Sequence, residues 1–272
     1  MKAEKKWIEL GWRHPLWNII RMIPPEHHTN IRKEFEYKLK EYGTIEFKDQ
    51  MPLKLDKEII NLYSEYQEVQ NKLLEVAFEK LRDEDEAVYF CKKNGFPVKK
   101  TVTKNKTHHQ SSAAMVSAVS SIAENVCSKY GSQINSNPQG RCAWHHKQKI
   151  LVSGRNLDGA IPSLVNPESI WEIKEYWGKT KGGSKMSDAL YECHLIGLEL
   201  REYEERTNQK INHIVFLDGK AQWSSRKSDL RRFIDIMNQG LIDYLIIGKE
   251  VENEWEKTLE KILTDSKARR QK

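Results

Sequence analysis

Three short apolar runs, separated by stretches of helical periodicity, constrain this chain most. Ser169-Ile-Trp-Glu-Ile-Lys174, Asn212-His-Ile-Val-Phe-Leu217 and Tyr244-Leu-Ile-Ile247 each read as a strand. Between the first two, Ser187 to Arg206 places Ala189, Leu190, Cys193, Ile196 and Leu200 on one helix face, with Gly197 allowing close packing. Between the second and third, Ser228 caps a helix whose Leu230, Phe233, Ile234 and Met237 fall at i, i+3, i+4 and i+7, stopped by Gly240. Upstream, Ser111 or Ser112 opens a helix with Val116, Val119, Ile122, Ala123 and Val126 on one side, ending near Gly131. Lys149–Ser153 is a further short strand, and Asn156–Ile161 a turn or strand entry. The order is helix, three strands, helix, strand, helix, strand, with a charged helix from Glu250 to the end. Such an alternation is satisfied by a mixed β-sheet flanked by helices, the α/β (α+β) class.

Residues 1–105 have a different grammar. Trp7, Trp12 and Trp17 precede a break at Pro24-Pro25, and from Asp56 to about Lys93 apolar residues recur at three- and four-residue spacing. This predicts a helical N-terminal region ahead of a second unit over residues 106–272, the former serving DNA grip, target reading or a dimer contact.

Composition narrows the class. With 38% hydrophobic residues in 272, the chain can build a real core, which excludes a disordered tail. No run approaches the roughly 18–20 apolar residues that span a bilayer, and no apolar segment of signal-peptide type follows the charged start. The expectation is a soluble, cytoplasmic protein with no membrane partner. Cys91, Cys127, Cys142 and Cys193 lie far apart, as buried thiols rather than a disulfide framework. Cys142-Ala-Trp-His145-His146 lacks the second ligand pair of a zinc site. A net charge of +6 is a mild signal for a polyanionic partner.

The chemistry concentrates in Asp158 and Glu172-Ile-Lys174. In a strand, Glu172 and Lys174 project to one face while Trp171 and Ile173 bury on the other. An acid and a lysine on an otherwise apolar strand are costly to hide without a purpose. Asp158, fourteen positions earlier at the start of the neighbouring segment, comes beside Glu172 if the two segments pair. Two carboxylates suit Mg²⁺, which takes few protein ligands and keeps several waters. Such a cation activates water and offsets charge on a phosphate, with Lys174 beside the water.

Asp158 followed by Glu172-Ile-Lys174 on the next strand resembles the PD-(D/E)xK nuclease signature. The surrounding order, over about residues 111–250, is similar to the type II restriction endonuclease core. Leu157 stands where that signature has its proline. The resemblance implies a restriction-endonuclease-like mixed sheet and Mg²⁺-dependent hydrolysis of double-stranded DNA leaving 5′-phosphates. It also implies Asp158 and Glu172 as metal ligands, Lys174 as the group serving the attacking water, and Glu124, on the first helix, as a supporting acid. A homodimer follows for an enzyme that cuts both strands of a palindrome.

Other residues have a DNA-facing and an ordinary reading side by side. Gly178 to Lys185 combines glycines with Lys179, Lys181 and Lys185, either a phosphate-contacting loop or a surface loop. Lys99 and Lys100 lie in a lysine-rich, acid-free segment, and Arg155 just precedes the Asp-Gly. Asp218-Gly219 is either a site residue or a plain turn. His108-His109 and His145-His146 fit no His-nuclease pattern, and neither a serine-nucleophile elbow nor a Walker loop is present. The alternatives to a restriction enzyme are a repair or structure-selective nuclease on the same core, and a non-catalytic DNA-binding protein.

Overall fold

A computed structural model describes residues 1–24, 28–46, 51–100, 111–178 and 184–270. In chain order the elements are α1 (Lys5–Glu9), α2 (Pro15–Met22), α3 (Thr29–Tyr42), β1 (Thr44–Ile45), β2 (Leu53–Lys54), α4 (Lys57–Lys80), α5 (Glu84–Lys93) and α6 (Ala114–Tyr130). There follow β3 (Ala143–His146), β4 (Lys149–Val152), β5 (Gly159–Ile161), β6 (Ser169–Glu175), α7 (Ser184–Thr207), β7 (Asn212–Asp218), α8 (Lys220–Ser225), α9 (Lys227–Asn238), β8 (Tyr244–Ile247), α10 (Glu250–Asn253) and α11 (Trp255–Arg270). The fold is mixed α+β.

The central sheet has the order β5-β6-β7-β8. β5 runs antiparallel to β6, and β6, β7 and β8 are parallel, joined by α7 and by α8–α9. Every residue of β7 is buried, as an interior parallel strand covered on both faces requires. Alternation sorts its side chains. Ile214 and Phe216 join Trp171 and Ile246 in a core with α5, α6, α10 and α11. Val215 and Leu217 join Leu245 and Ile247 in a second core with α4, α7 and α9. Leu74, Ala77 and Leu81 of α4, and Ala87 and Cys91 of α5, belong to these two cores although they precede residue 105.

The helical text from Asp56 onward divides at residues 81–83. Arg82 turns inward to Asp218, and the Glu86 carboxylate accepts from Asp83 N at 3.0 Å to start α5. Gly131, at φ +63°, ends α6 as the turn requires, its N–H bonded to the Cys127 and Ser128 carbonyls. Gly197 does what its place on α7 predicts, since a Cβ there would meet the Leu241 carbonyl oxygen at 2.7 Å.

The N-terminal helices form their own core. Trp7 and Trp17 stand edge-on to Tyr66 of α4, with ring centroids 5.0 and 5.4 Å apart. Tyr66 then donates to Asp235 of α9 at 2.7 Å, tying this core to the sheet layers. Among the described residues, no helix is long and apolar enough to cross a membrane.

Candidate active site

Antiparallel pairing of Gly159 with Trp171 sets the register at the sheet edge. One residue earlier, Asp158 N donates to the Trp171 carbonyl at 3.0 Å, and Asp158 Oδ2 accepts from Ile173 N at 2.7 Å. The Asp158 carboxylate is thereby clamped against β6 beside Glu172. The register depends on a glycine, because a Cβ at 159 would lie 1.8 Å from the Trp171 ring.

Strand alternation sends Trp171 and Ile173 toward α6 and α11, and Glu172 and Lys174 toward α7. Lys174 Nζ donates to Glu172 Oε2 at 2.8 Å and to Glu192 Oε2 of α7 at 3.1 Å. Arg155 pairs with the same Glu192 oxygen, and its Nε lies 3.9 Å from Glu172 Oε1. Glu172 is fully buried and Lys174 nearly so, whereas Arg155 and Glu192 are about 40% exposed. The inner pair is therefore one side-chain layer below the surface. Glu172 Oε1 is buried without a hydrogen-bond partner.

The electrostatics follow. Burial, reinforced by the charge of Asp158, raises the Glu172 carboxyl above the ordinary range against the pull of Lys174. Burial is the largest influence on the Lys174 ammonium and works to lower it, but the charge and hydrogen bond of Glu172, together with Cys193, outweigh it, and the amine is raised. Lys174 is thus a proton-holding cation at neutral pH, suited to countering anionic charge. Beside it, burial pushes the Cys193 thiol up to about 12, which leaves it inert. At the end of β6, burial raises Glu175 to about 7, while its Oε2 accepts from Met115 N at 2.8 Å and Trp177 Nε1 at 2.9 Å.

The structure thus brings Asp158, Glu172, Lys174 and Arg155 together. Glu192 joins them, and the sequence reading passed over it. Position 192 is three after Ala189 and four before Ile196, so the buried stripe of the helix already placed an acid at its edge. Glu124 is elsewhere: α6 covers the Trp171 and Ile173 face of the sheet, opposite Glu172 and Lys174, and Glu124 accepts from Ser136 Oγ at 2.5 Å. Lys99 and Lys100 are exposed just ahead of α6, where Lys99 O accepts from Ala113 N at 2.8 Å. Lys185 is exposed in the first turn of α7, and Lys179 and Lys181 lie outside the described residues.

Asp218 has a structural partner. It is fully buried and accepts from Arg82 Nη2 at 2.6 Å, Arg82 Nε at 2.8 Å and Arg82 N at 2.9 Å. Among the described residues, no three His, Cys, Asp or Glu side chains converge as a metal cage. Three carboxylates border this site, Asp158, Glu172 and Glu192, the last turned to the cations.

Residues 67–262 match a family described as a domain of unknown function (DUF7687). The chain belongs to that family. The DUF7687 match begins within α4, so the part of α4 that packs on the sheet, all of α5, the whole sheet and the Asp158–Glu172–Lys174 cluster fall inside it. No curated protein and no solved structure matches the chain.

Proposed function

We propose that the protein is a Mg²⁺-dependent endonuclease of PD-(D/E)xK type that hydrolyses phosphodiester bonds in double-stranded DNA, with a type II restriction enzyme acting as a homodimer as the specific form. The observation that carries this reading is the clamping of Asp158 against β6 beside Glu172, with Lys174 bonded to Glu172 from the same face. The antiparallel β5–β6 pair followed by α7 and the parallel β7 supports a restriction-endonuclease-like core.

The residues present fit a hard divalent ion. Glu172 Oε1 is an orphaned buried acceptor next to a second carboxylate, and a cation would offset the burial, reinforced by the Asp158 charge, that raises its pKa. Mg²⁺ held by Asp158 and Glu172 would supply a water of lowered pKa and neutralise charge on the phosphate. Lys174, held protonated, would bind a non-bridging phosphate oxygen as negative charge builds there. Glu192 now sits between Lys174 and Arg155, the seat that the oxygens of an incoming phosphate would take. An arriving backbone would therefore displace the Glu192 carboxylate, which exposes the buried pair.

The test is incubation of supercoiled plasmid of known sequence with wild type and Glu172→Gln in Mg²⁺. Wild type is expected to cut, and the variant to lose roughly two orders of magnitude in rate or more while still binding DNA. Discrete, reproducible fragments mark the restriction form, and cleavage confined to branched or damaged DNA marks the structure-selective alternative. Binding by wild type without cleavage in any divalent metal would leave the DNA-binding reading and refute the nuclease.

A further inference from the structure

A second feature lies apart from this cluster. Between α2, the start of α3, α7 and α9 is a cavity of about 680 Å³, and none of Asp158, Glu172, Lys174, Arg155 and Glu192 lines it. Its size is that of a small-molecule site, in the range of about 300–1,000 Å³. Ile20, Ile23, Leu190 and Ile236 supply an apolar wall. Arg21, Arg32, Arg226, Arg231, Arg232 and His194 supply the polar lining, against Asp229 and Asp235.

The arginines are unequally answered within the protein. Arg226 is paired with Asp229 (Nε to Oδ2, 2.6 Å) and Arg32 with Glu36 (2.9 Å). Arg231 bonds to the amide oxygens of Gln70 and Asn71 at 2.8 and 2.7 Å. Arg21 is lowered first by burial and then by Arg232, so these two guanidiniums repel each other. Its Nη2 lies 3.1 Å from His194 Nε2, a contact that needs the imidazole neutral. Burial, then Arg21 and Arg232, push that imidazole down to about 4. Arg232 lies over the Tyr191 ring, 4.9 Å from its centroid. Asp235 offsets part of this charge, but its carboxylate is also engaged by Tyr66 and Gln70.

We propose that this cavity binds a nucleotide-class polyphosphate, its phosphates bridging Arg21 and Arg232 and its base lying against the Ile20–Ile23 wall. Like charges held together at the mouth of a concavity cost folding free energy, and an anion is what would turn that cost into binding. Guanidiniums present forked donors matched to phosphate oxygens. The volume and the apolar wall favour a nucleotide over a bare phosphate. A concave site of this kind also differs from a track for a DNA backbone, which runs along a surface.

The test uses the full chain, with ATP, GTP, CTP, UTP and inorganic pyrophosphate as probes, by isothermal titration and thermal shift. At least one nucleotide is expected to bind and raise the melting temperature, with pyrophosphate at least about tenfold weaker because it lacks the base. Arg21→Gln with Arg232→Gln is expected to lose at least about tenfold in affinity. Without ligand, that double variant should melt no lower than wild type, because the repulsion is relieved, so lost binding is not lost folding. The proposal is overturned if none of the five probes binds, if pyrophosphate binds as tightly as the nucleotides, or if the double variant binds them as wild type does. It is also overturned if the double variant loses only affinity for duplex DNA, since the arginines would then be following a backbone.

Discussion

Replacing Glu175 by glutamine should stabilise the protein at alkaline pH and leave it nearly unchanged at acid pH. Glu175 closes β6, its carboxyl buried against the start of α6, and burial raises it from the ordinary 4.5 to about 7. A carboxyl with a folded-state pKa above its unfolded value holds its proton more tightly in the native protein. Its contribution to stability is full below the unfolded value and is lost as pH rises through about 7. A shift from 4.5 to about 7, at about 1.36 kcal/mol per unit, amounts to about 3 kcal/mol. Glutamine keeps an oxygen to accept from Met115 N and Trp177 Nε1 but does not ionise. Urea unfolding followed by tryptophan fluorescence at about pH 4.5 and about pH 8.5 measures the effect. The variant's advantage should grow by about 3 kcal/mol between the two conditions. An advantage equal at both, within about 0.5 kcal/mol, would refute the assignment of a strained, buried carboxylate.

Two further predictions concern the frame around the site. Arg82→Met strands the fully buried Asp218 carboxylate and should cost about 3–5 kcal/mol in thermal or chemical unfolding, partly restored by adding Asp218→Asn. A loss below about 1 kcal/mol would show that the pair is not the buried anchor described. Gly159→Ala drives a methyl into the Trp171 ring, where the Cβ position lies 1.8 Å from Cε2, and should cost roughly 1–3 kcal/mol or more. Because Asp158 immediately precedes it, the proposed plasmid cleavage should fall with stability, and an unchanged melting temperature would refute the close approach.

Much of the central layer was legible because its signals are local. β6, β7 and β8 read from apolar runs, and α7 and α9 from stripes of Leu190, Cys193 and Ile196, or Leu230, Phe233 and Ile234. The pairing of Asp158 with Glu172 was legible as a condition, that the two segments adjoin. What hid was relational. Leu74 and Ala77 looked like part of a separate helical unit, since periodicity reports that a face is buried and not what buries it. Asp218 looked like a site residue or a turn because nothing near it in sequence names its partner, Arg82, 136 positions away. Glu192 escaped as one charged residue among many on a long helix.

By itself, the order of residues determined the central strands β6, β7 and β8, the helices α6, α7 and α9 and the face shared by Glu172 and Lys174, because alternation and helical period are set within a few residues of backbone. Only the tertiary structure decided that α6 turns Glu124 away from that face, and that Glu192 and Arg155 close over it. It also decided that arginines from α2 and α9 meet around one cavity. Those outcomes depend on which surfaces pack together, and long-range packing is settled by the whole core at once rather than by any local pattern.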